Sequence, residues 1–186
     1  MTLDELERDA DRPKAPLVDE LSDEDRASGR HLAAIHRMHL RNVEAVTELM
    51  AAIRDGIADP ASLAPALARM PMAQNLSQFG TICGQECAML QGHHDIEEHS
   101  IFPALRRGAD EQLAAVIDRL MAEHEVIHAL LAELEKAARE LAKMPSDDHL
   151  AVVEAAFDPL LRAIRSHFGY EEVELESALG RSRLLG

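Results

Sequence analysis

The residues best suited to chemistry are histidines and glutamates that recur at the spacing of a helical turn. His94 and Glu98 stand at positions i and i+4, as do His124 and His128, so each pair lies on one face of a helix. Imidazole and carboxylate groups suit iron, manganese or zinc. The spacing therefore predicts that the members of each pair can reach one metal site together.

An internal repeat adds a second segment of the same kind. The segment HHDIEEHSIFPAL (93–105) aligns without gaps to HFGYEEVELESAL (167–179). The aligned pairs are His93 with His167, Glu97 with Glu171 and Glu98 with Glu172. Two helices are thus predicted to bring similar imidazole and carboxylate groups to the same layer.

Four amphipathic segments must position these residues. Ala, Leu, Glu and Arg dominate the chain, aromatic residues make up only 3% and Trp is absent, which favours helices. Apolar residues recur at helical spacing in four stretches, and the predicted helices span residues 22–58, 73–107, 111–143 and 149–179. Because short connections favour antiparallel neighbours, we predict an all-α fold, an antiparallel up-down-up-down four-helix bundle.

In each predicted helix, histidine, or histidine and glutamate, interrupts the apolar stripe at one level. Counting outward from the predicted turns brings the interruptions of all four helices into one layer. Burying such groups is costly unless something satisfies them. The predicted metal ligands are His36, His94, Glu98, His124, His128, His167 and Glu172. This set is too large for one tetrahedral zinc and suits two metal ions that share bridging carboxylates.

The rest of the sequence indicates the domain limits and the surroundings. Residues 1–21 are predicted to form a mobile acidic arm, residues 22–180 the bundle, and residues 181–186 a C-terminal tail. The formal net charge of −15 disfavours nucleic acid and anionic membranes as partners. No apolar run approaches the roughly 20 residues of a membrane span, and the polar N-terminus does not resemble a secretory signal. A cytoplasmic location is therefore expected.

Four segments, in order, resemble the hemerythrin-like, HHE cation-binding family over residues 31–179. They are a histidine in the first helix, HHDIEEHSIFP in the second, AEHEVIH in the third and HFGYEE in the fourth. The resemblance implies that His124, His128 and His167 hold one iron and that His36 and His94 hold the other. It also implies that Glu98 and Glu172 bridge the two ions. In the family, the second iron has an open position that takes O₂ or a related small ligand.

Two of these positions have close alternatives. His36 and His39 both lie on the inner stripe of the first helix, and His36 is preferred because the following apolar residues then fall at the family's usual offsets. On the fourth helix, Glu171 stands at i+4 from His167 and Glu172 at i+5. The internal repeat favours Glu172, whereas helical periodicity alone slightly favours Glu171.

The segment HEVIH (124–128) also matches HExxH, the motif of zinc metallopeptidases in which Glu125 would be the general base. Such enzymes normally bind an extended substrate along a strand edge, and this sequence shows no convincing strand. The peptidase interpretation also leaves His94, Glu98 and His167 without a role. It is therefore the weaker alternative.

Several other residues have two interpretations. Cys83 and Cys87 stand at i and i+4 and are either small buried apolar residues or a redox pair. Tyr170, the one tyrosine, is either a hydrogen-bond donor near a metal ligand or an amphipathic surface residue. The histidines expected to be exposed or outside the direct ligand set are His31, His93, His99 and His149.

The predicted function is that of a non-haem protein with two carboxylate-bridged iron ions. It would bind or react with a small oxidising ligand, namely O₂, peroxide or nitric oxide. Neutral imidazoles would hold the ions, carboxylates would balance their charge, and the apolar bundle would favour small uncharged ligands. A reversible carrier or sensor and an enzyme need the same ligands. An iron store or iron sensor is a further alternative.

Overall fold

The computed structural model describes residues 1–16, 21–55, 84–182 and 184. In chain order the α-helices are α1 (Leu3–Leu6), α2 (Asp23–Gly29), α3 (His31–Arg54), α4 (Gly84–Ile96), α5 (Phe102–Arg106), α6 (Glu111–Lys143) and α7 (Asp147–Ser182). A 3-10 turn covers Asp9–Asp11, and a π-helical turn, Glu97–Ile101, joins α4 to α5. No strand occurs in the described ranges, which agrees with the predicted all-α class. The up-down-up-down arrangement remains a prediction.

The helix bounds agree with the sequence in the second half of the chain and differ at the start. Helix α6 has the predicted ends, whereas the predicted first helix is divided at Arg30 into α2 and α3. Ser22 caps α2 through the reciprocal hydrogen bonds with Asp25 that the sequence indicates, a capping box. The predicted connector (61–72) and the start of the predicted second helix lie outside the described residues.

The chain divides into two compact units. Unit 1 consists of Met1–Met38, Gly92–Ile127 and Arg162–Gly186, and unit 2 of His39–Gln91 and His128–Leu161. Unit 1 contains an apolar cluster whose buried members are Leu32, Ile101, Phe102, Leu105, Leu113, Val116, Ile117, Leu120, Tyr170, Leu175 and Leu179. Burial of each large apolar side chain contributes about 1.5–3 kcal/mol to the stability of the fold. This cluster therefore stabilises the helices that carry the nearby polar residues.

Residues 1–16, here called the N-terminal strap, pack against other parts of unit 1. Leu6 is completely buried, the Glu7 carboxylate pairs with Arg162, and the amide of Ala15 donates to Glu174 at 2.6 Å. The sequence predicted a mobile arm over residues 1–21 because of its charge. The structure differs over residues 1–16 because the charged and polar groups of the strap have partners on α6 and α7.

Tyr170 anchors the strap from α7. Its side chain is buried, and its hydroxyl donates to the carbonyl of Pro13 at 2.7 Å. Burial, followed by the charges of Glu174 and Glu123, raises the pKa of the phenol above its ordinary value, so the group stays protonated and able to donate. Of the two interpretations of Tyr170, the structure shows a buried donor, and its acceptor is the strap.

Helix α2 crosses the end of α7 at two glycines. A Cβ atom at Gly29 would lie 2.3 Å from the backbone oxygen of Glu176, and one at Gly180 would lie 2.3 Å from the backbone oxygen of Asp25. Neither backbone oxygen can move away without shifting its helix. The sequence therefore needs glycine at both positions for the two helices to approach this closely.

We expect Gly29→Ala to lower the free energy of unfolding by about 1–3 kcal/mol, because overpacked sites force the backbone apart. Gly169→Ala is the matched control, since a Cβ at Gly169 meets no atom within 4 Å. The control should raise the free energy of unfolding by about 0.5–1 kcal/mol, the usual gain for alanine within a helix. Thermal unfolding of both variants measures the difference, and equal changes would contradict the close approach.

Within the described residues, no helix combines the length and apolar character needed to cross a membrane.

Candidate metal centre

Histidine and glutamate side chains of unit 1 converge in two buried groups. The first group is His36, His93, Glu97 and Glu171, and the second is His94, His124 and His167. Within each group the atoms able to bind a metal lie within 4.8 Å of one another. Polar groups buried at this density need a shared partner, because each of them has lost its hydration.

A π-helical turn helps to place the residues of the second helix. The amide of Phe102 bonds to the carbonyl of Glu97, five residues back. Pro103 has no amide hydrogen, and a proline ring crowds the carbonyl four residues before it, which favours the wider turn here. As a result, Glu97, Ile101 and Phe102 are all buried. Turns of this kind are frequent at functional sites.

His36 on α3 and His124 on α6 have matching surroundings. Nδ1 of His36 donates to Oε1 of Glu172 at 3.0 Å, and Nδ1 of His124 donates to Oε1 of Glu98 at 2.8 Å. A neutral imidazole that donates from Nδ1 carries its lone pair on Nε2. In both rings, Nε2 is therefore the atom able to bind a metal.

Each of these Nε2 atoms faces the Nε2 atom of another histidine. The two Nε2 atoms of His36 and His93 are 3.1 Å apart, and those of His124 and His167 are 3.2 Å apart. The internal repeat pairs His93 with His167. The four histidines therefore form two similar halves related by an approximate twofold exchange, which relates His36 to His124 and His93 to His167.

Glu97 and Glu171, also paired by the repeat, each contact both halves. Glu97 lies 3.1 Å from Nε2 of His93 and 3.6 Å from Nε2 of His124. Glu171 lies 3.4 Å from Nε2 of His36 and 3.6 Å from Nε2 of His167. These contacts lack hydrogen-bond geometry, and all four carboxylate oxygens are buried without a hydrogen-bond partner. The two carboxylates are therefore placed where a cation would satisfy them.

The two carboxylates also affect each other's charge. Burial, and then the charge of Glu171, raises the pKa of Glu97 well above its ordinary value. Burial acts to raise the pKa of Glu171 as well, but the contact with His36 and the charges of His167 and His36 outweigh it and lower that pKa. Without a metal, the pair thus favours one proton and one negative charge. A bound cation would allow both groups to ionise.

Ring stacking distinguishes the two halves. The Phe168 ring stacks on His36 with centroids 3.8 Å apart and planes 3° apart. The His94 ring stacks on His124 with centroids 3.9 Å apart and planes 9° apart. The internal repeat aligns His94 with Phe168, so the same place holds an imidazole in one half and a phenyl ring in the other.

The structure brings together part of the predicted ligand set. The predicted ligands within the two groups are His36, His94, His124 and His167. Glu98 and Glu172 are instead partly exposed, on the Nδ1 side of the His124 and His36 rings. The neighbouring residues Glu97 and Glu171 belong to the first group instead, where they stand at i+4 from His93 and His167.

The remaining predicted ligand is His128. His128 is half-buried and belongs to neither group; like the alternative His39, it is part of unit 2. His93 was expected outside the direct ligand set and lies within the first group. The signal that identifies His93 is the internal repeat, which aligns it with His167.

Glu123 is a residue of this centre that the sequence did not indicate. It is completely buried, and its Oε2 accepts a hydrogen bond from Nδ1 of His167 at 3.1 Å. Burial acts to raise the pKa of Glu123, but hydrogen bonds from His167, Arg12 and Arg119 outweigh it and lower that pKa. The ionised carboxylate keeps the His167 proton on Nδ1, which leaves Nε2 free to bind a metal.

A comparison with known families agrees with this chemistry. The model of the hemerythrin HHE cation binding domain matches residues 31–179. The chain belongs to this family. The matched HHE domain contains both buried groups, whereas the N-terminal strap precedes it. No match was found among curated proteins or among solved structures.

Within the HHE domain, the HExxH segment does not form a site of its own in the part of the chain that the structure describes. Glu125 is exposed, His124 belongs to the second group, and His128 belongs to neither. The cysteine interpretations lie outside the description, since Cys83 and the Cys87 side chain are not among the described parts.

We expect Glu125→Ala to leave the metal content of the purified protein unchanged, because this side chain is exposed and belongs to neither group. Elemental analysis of the variant beside the wild type measures this. Loss of metal from Glu125→Ala would contradict the placement of the metal in the two groups.

Proposed function

We propose that this protein is a non-haem di-iron protein that binds or reacts with a small oxidising ligand, such as O₂, peroxide or nitric oxide. The observation that carries the proposal is the pair of buried carboxylates, Glu97 and Glu171, each in contact with imidazole Nε2 atoms of both halves. Imidazole and carboxylate ligands suit iron, and the family is a cation-binding one.

The contacts suggest how the ligands divide. The first iron would be held by His36 and His93, and the second by His94, His124 and His167. Glu97 and Glu171 would bridge the ions, since each contacts both halves. This division gives the first iron fewer protein ligands than the second. The open position is therefore expected on the iron beside His36 and His93.

The residues present fit such a metal pair. The four oxygens of Glu97 and Glu171 are buried and lack hydrogen bonds, and two ionised carboxylates in one apolar interior repel each other. Divalent cations would provide partners for these oxygens and would remove the repulsion between the two carboxylates. The Nε2 atoms of His36 and His93, 3.1 Å apart, would likewise share a cation rather than face each other directly.

Bound iron supplies an open coordination position and up to two electrons for an oxidising ligand. The protein supplies orientation: Glu172, Glu98 and Glu123 accept hydrogen bonds from Nδ1 of three histidines, which fixes Nε2 as the nitrogen that would face the metal. Phe102 and Phe168 are buried beside the rings of His124 and His36. Their apolar surfaces exclude water and favour a small, uncharged ligand.

The proposal is tested by optical spectroscopy of the iron-loaded protein. The reduced protein is prepared without oxygen, and O₂ and hydrogen peroxide are then added to separate samples. We expect new absorption bands with at least one of the two oxidants. A stable band that disappears on removal of O₂ indicates carriage, whereas oxygen evolution from peroxide indicates catalysis. A protein that binds iron and gives no spectral change with either oxidant or with nitric oxide would contradict the proposal.

A further inference from the structure

The two halves of the centre differ in what supports their histidines on the Nδ1 side. His167 donates to the buried carboxylate of Glu123, the residue just before His124 in the sequence. The residue just before His36, the counterpart of His124, is Ile35, which has no polar side-chain atom. The sequence position that supplies the carboxylate behind His167 is therefore apolar in the other half.

Arg12 of the N-terminal strap holds this carboxylate in place. Its Nε donates to Oε1 of Glu123 at 2.9 Å, and its Nη2 donates to Oε2 at 3.1 Å. Both side chains are almost completely shielded from solvent, with 4% and 0% exposed. An Arg–carboxylate pair with two parallel hydrogen bonds fixes the plane of the carboxylate as well as its position.

Arg12 and Arg119 have different roles at Glu123. Arg119 donates to Oε1 at 2.8 Å, whereas the oxygen that accepts from His167 is Oε2. Arg12 is the arginine that also holds Oε2. Without Arg12, a carboxylate held through Oε1 alone could turn away from the imidazole.

The strap places Arg12 through contacts on both sides of it. On one side, Glu7 pairs with Arg162 through two hydrogen bonds. On the other, Pro13 accepts from Tyr170 and Ala15 donates to Glu174. The Arg12 guanidinium also lies 4.6 Å from the centre of the Tyr170 ring, a cation–π distance. These contacts fix the path of the strap at the point where Arg12 enters the interior.

We propose that the N-terminal strap is part of the metal centre: Arg12 is a positioning residue that acts through Glu123 to hold His167 ready for metal, and it makes the His167 half bind its metal ion more tightly. The proposal rests on the metal centre proposed above. It gives the strap, which lies outside the region matched by the family, a specific effect on one of the two ions.

The test uses anaerobic titration of the metal-free full-length chain with cobalt(II), whose visible absorption reports the nitrogen and oxygen ligands around each ion. Arg12→Met removes the hydrogen bonds and keeps most of the side-chain volume. We expect this variant to lower the affinity for one of the two cobalt ions by about 10-fold. This is the lower end of the usual effect of removing the group that supports a metal ligand. The other ion should keep its affinity and spectrum.

Arg162→Met is the matched control, because it also removes an arginine–carboxylate pair that fastens the strap but does not touch Glu123. It should change the two affinities less than Arg12→Met does, because the contacts of Pro13 with Tyr170 and of Ala15 with Glu174 still hold the strap beside Arg12. Glu123→Gln keeps the strap contacts of other residues and should weaken the same ion as Arg12→Met. Arg12→Lys should recover part of the loss, since lysine keeps the charge but not the two parallel hydrogen bonds.

The outcomes separate this proposal from the one on which it rests. If the wild type binds no metal, the proposed function fails. A second outcome is that the wild type binds two ions and that Arg12→Met and Arg162→Met have the same cobalt affinities, either both unchanged or both lowered. The strap then has only a structural role, and the positioning proposal is wrong. The proposal is supported if Arg12→Met and Glu123→Gln lower the affinity for the same ion and Arg162→Met has a smaller effect on it.

Discussion

Replacing both Glu97 and Glu171 by glutamine is expected to remove most of the iron that the wild type retains and to stabilise the metal-free protein. The two effects have one cause. The carboxylates provide the negative charge that holds the cations, and without cations they are buried groups that lack hydrogen bonds. Like charges this close disfavour each other's ionised form, so the neutral amides remove this repulsion from the metal-free protein. Elemental analysis and thermal unfolding of the metal-free form measure the two effects.

The matched control is the double variant Glu98→Gln, Glu172→Gln. These side chains are partly exposed and contact only the Nδ1 side of His124 and His36. We expect this variant to keep both ions, with affinity lowered by about 10-fold at most, because the amide oxygens still accept from Nδ1 but no longer carry the charge that strengthens these hydrogen bonds. If replacing Glu98 and Glu172 abolished iron binding and replacing Glu97 and Glu171 did not, the sequence-based choice of Glu98 and Glu172 as bridges would be correct.

Removing the metal from the wild-type protein is expected to lower Tm by about 8–16 °C for each ion. A ligand that binds only the folded state contributes about 4 kcal/mol when its free concentration is about 1,000 times its Kd, and a chain of this size shifts by about 2–4 °C for each kcal/mol. The metal-free protein should stay helical, because the apolar cluster of unit 1 does not depend on metal. Matched melting curves with and without metal measure the shift, and coincident curves would contradict it.

The difference in Tm between the metal-loaded and the metal-free protein should narrow as the pH falls from 8 to 6. In the metal-free protein, burial acts to lower the pKa of His36, but the contact with the Glu171 carboxylate and the hydrogen bond to Glu172 outweigh it and raise that pKa above 6.5. A raised folded-state pKa contributes stability that is present below the unfolded value and lost as the pH rises through the folded value. Acidification therefore stabilises the metal-free form, while protons compete with metal for imidazole in the loaded form. A gap that widens on acidification would contradict this.

The sequence predicted the helices best where apolar residues recur at helical spacing over many turns and where the turn residues are clear. Helix α6 has the predicted ends, and the Ser22–Asp25 capping box is present. The break at Arg30 was not predicted, because it depends on the tight crossing of Gly29 with the backbone of Glu176. A contact between residues this far apart in the chain leaves no periodic signal.

The positions of the candidate ligands were harder to predict than their chemistry. Two adjacent histidines and two adjacent glutamates, His93-His94 and Glu97-Glu98, leave the inward-facing residue uncertain, since neighbours on a helix point about 100° apart. The π-helical turn at Glu97–Ile101 also changes the register beyond it. The internal repeat held the better signal, because it pairs His93 with His167 and Glu97 with Glu171 and thus relates the two halves found in the structure.

The strap shows a different limit of prediction from sequence. Its many charges and its prolines suggested mobility, which is the usual meaning of such a composition. Arg12 pairs with Glu123, 111 residues away in the chain, and only the fold shows that the two meet. The buried partner explains why a charged segment can pack on an apolar domain.

The central claim, that Glu97 and Glu171 bridge two metal ions between the paired histidines, is tested most directly by a crystal structure of the iron-loaded protein with anomalous scattering measured at the iron edge. We expect two anomalous peaks, one beside Nε2 of His36 and His93 and one beside Nε2 of His124 and His167, with both carboxylates in contact with both peaks. The absence of any peak, or one peak bound by His128 and away from Glu97 and Glu171, would contradict it.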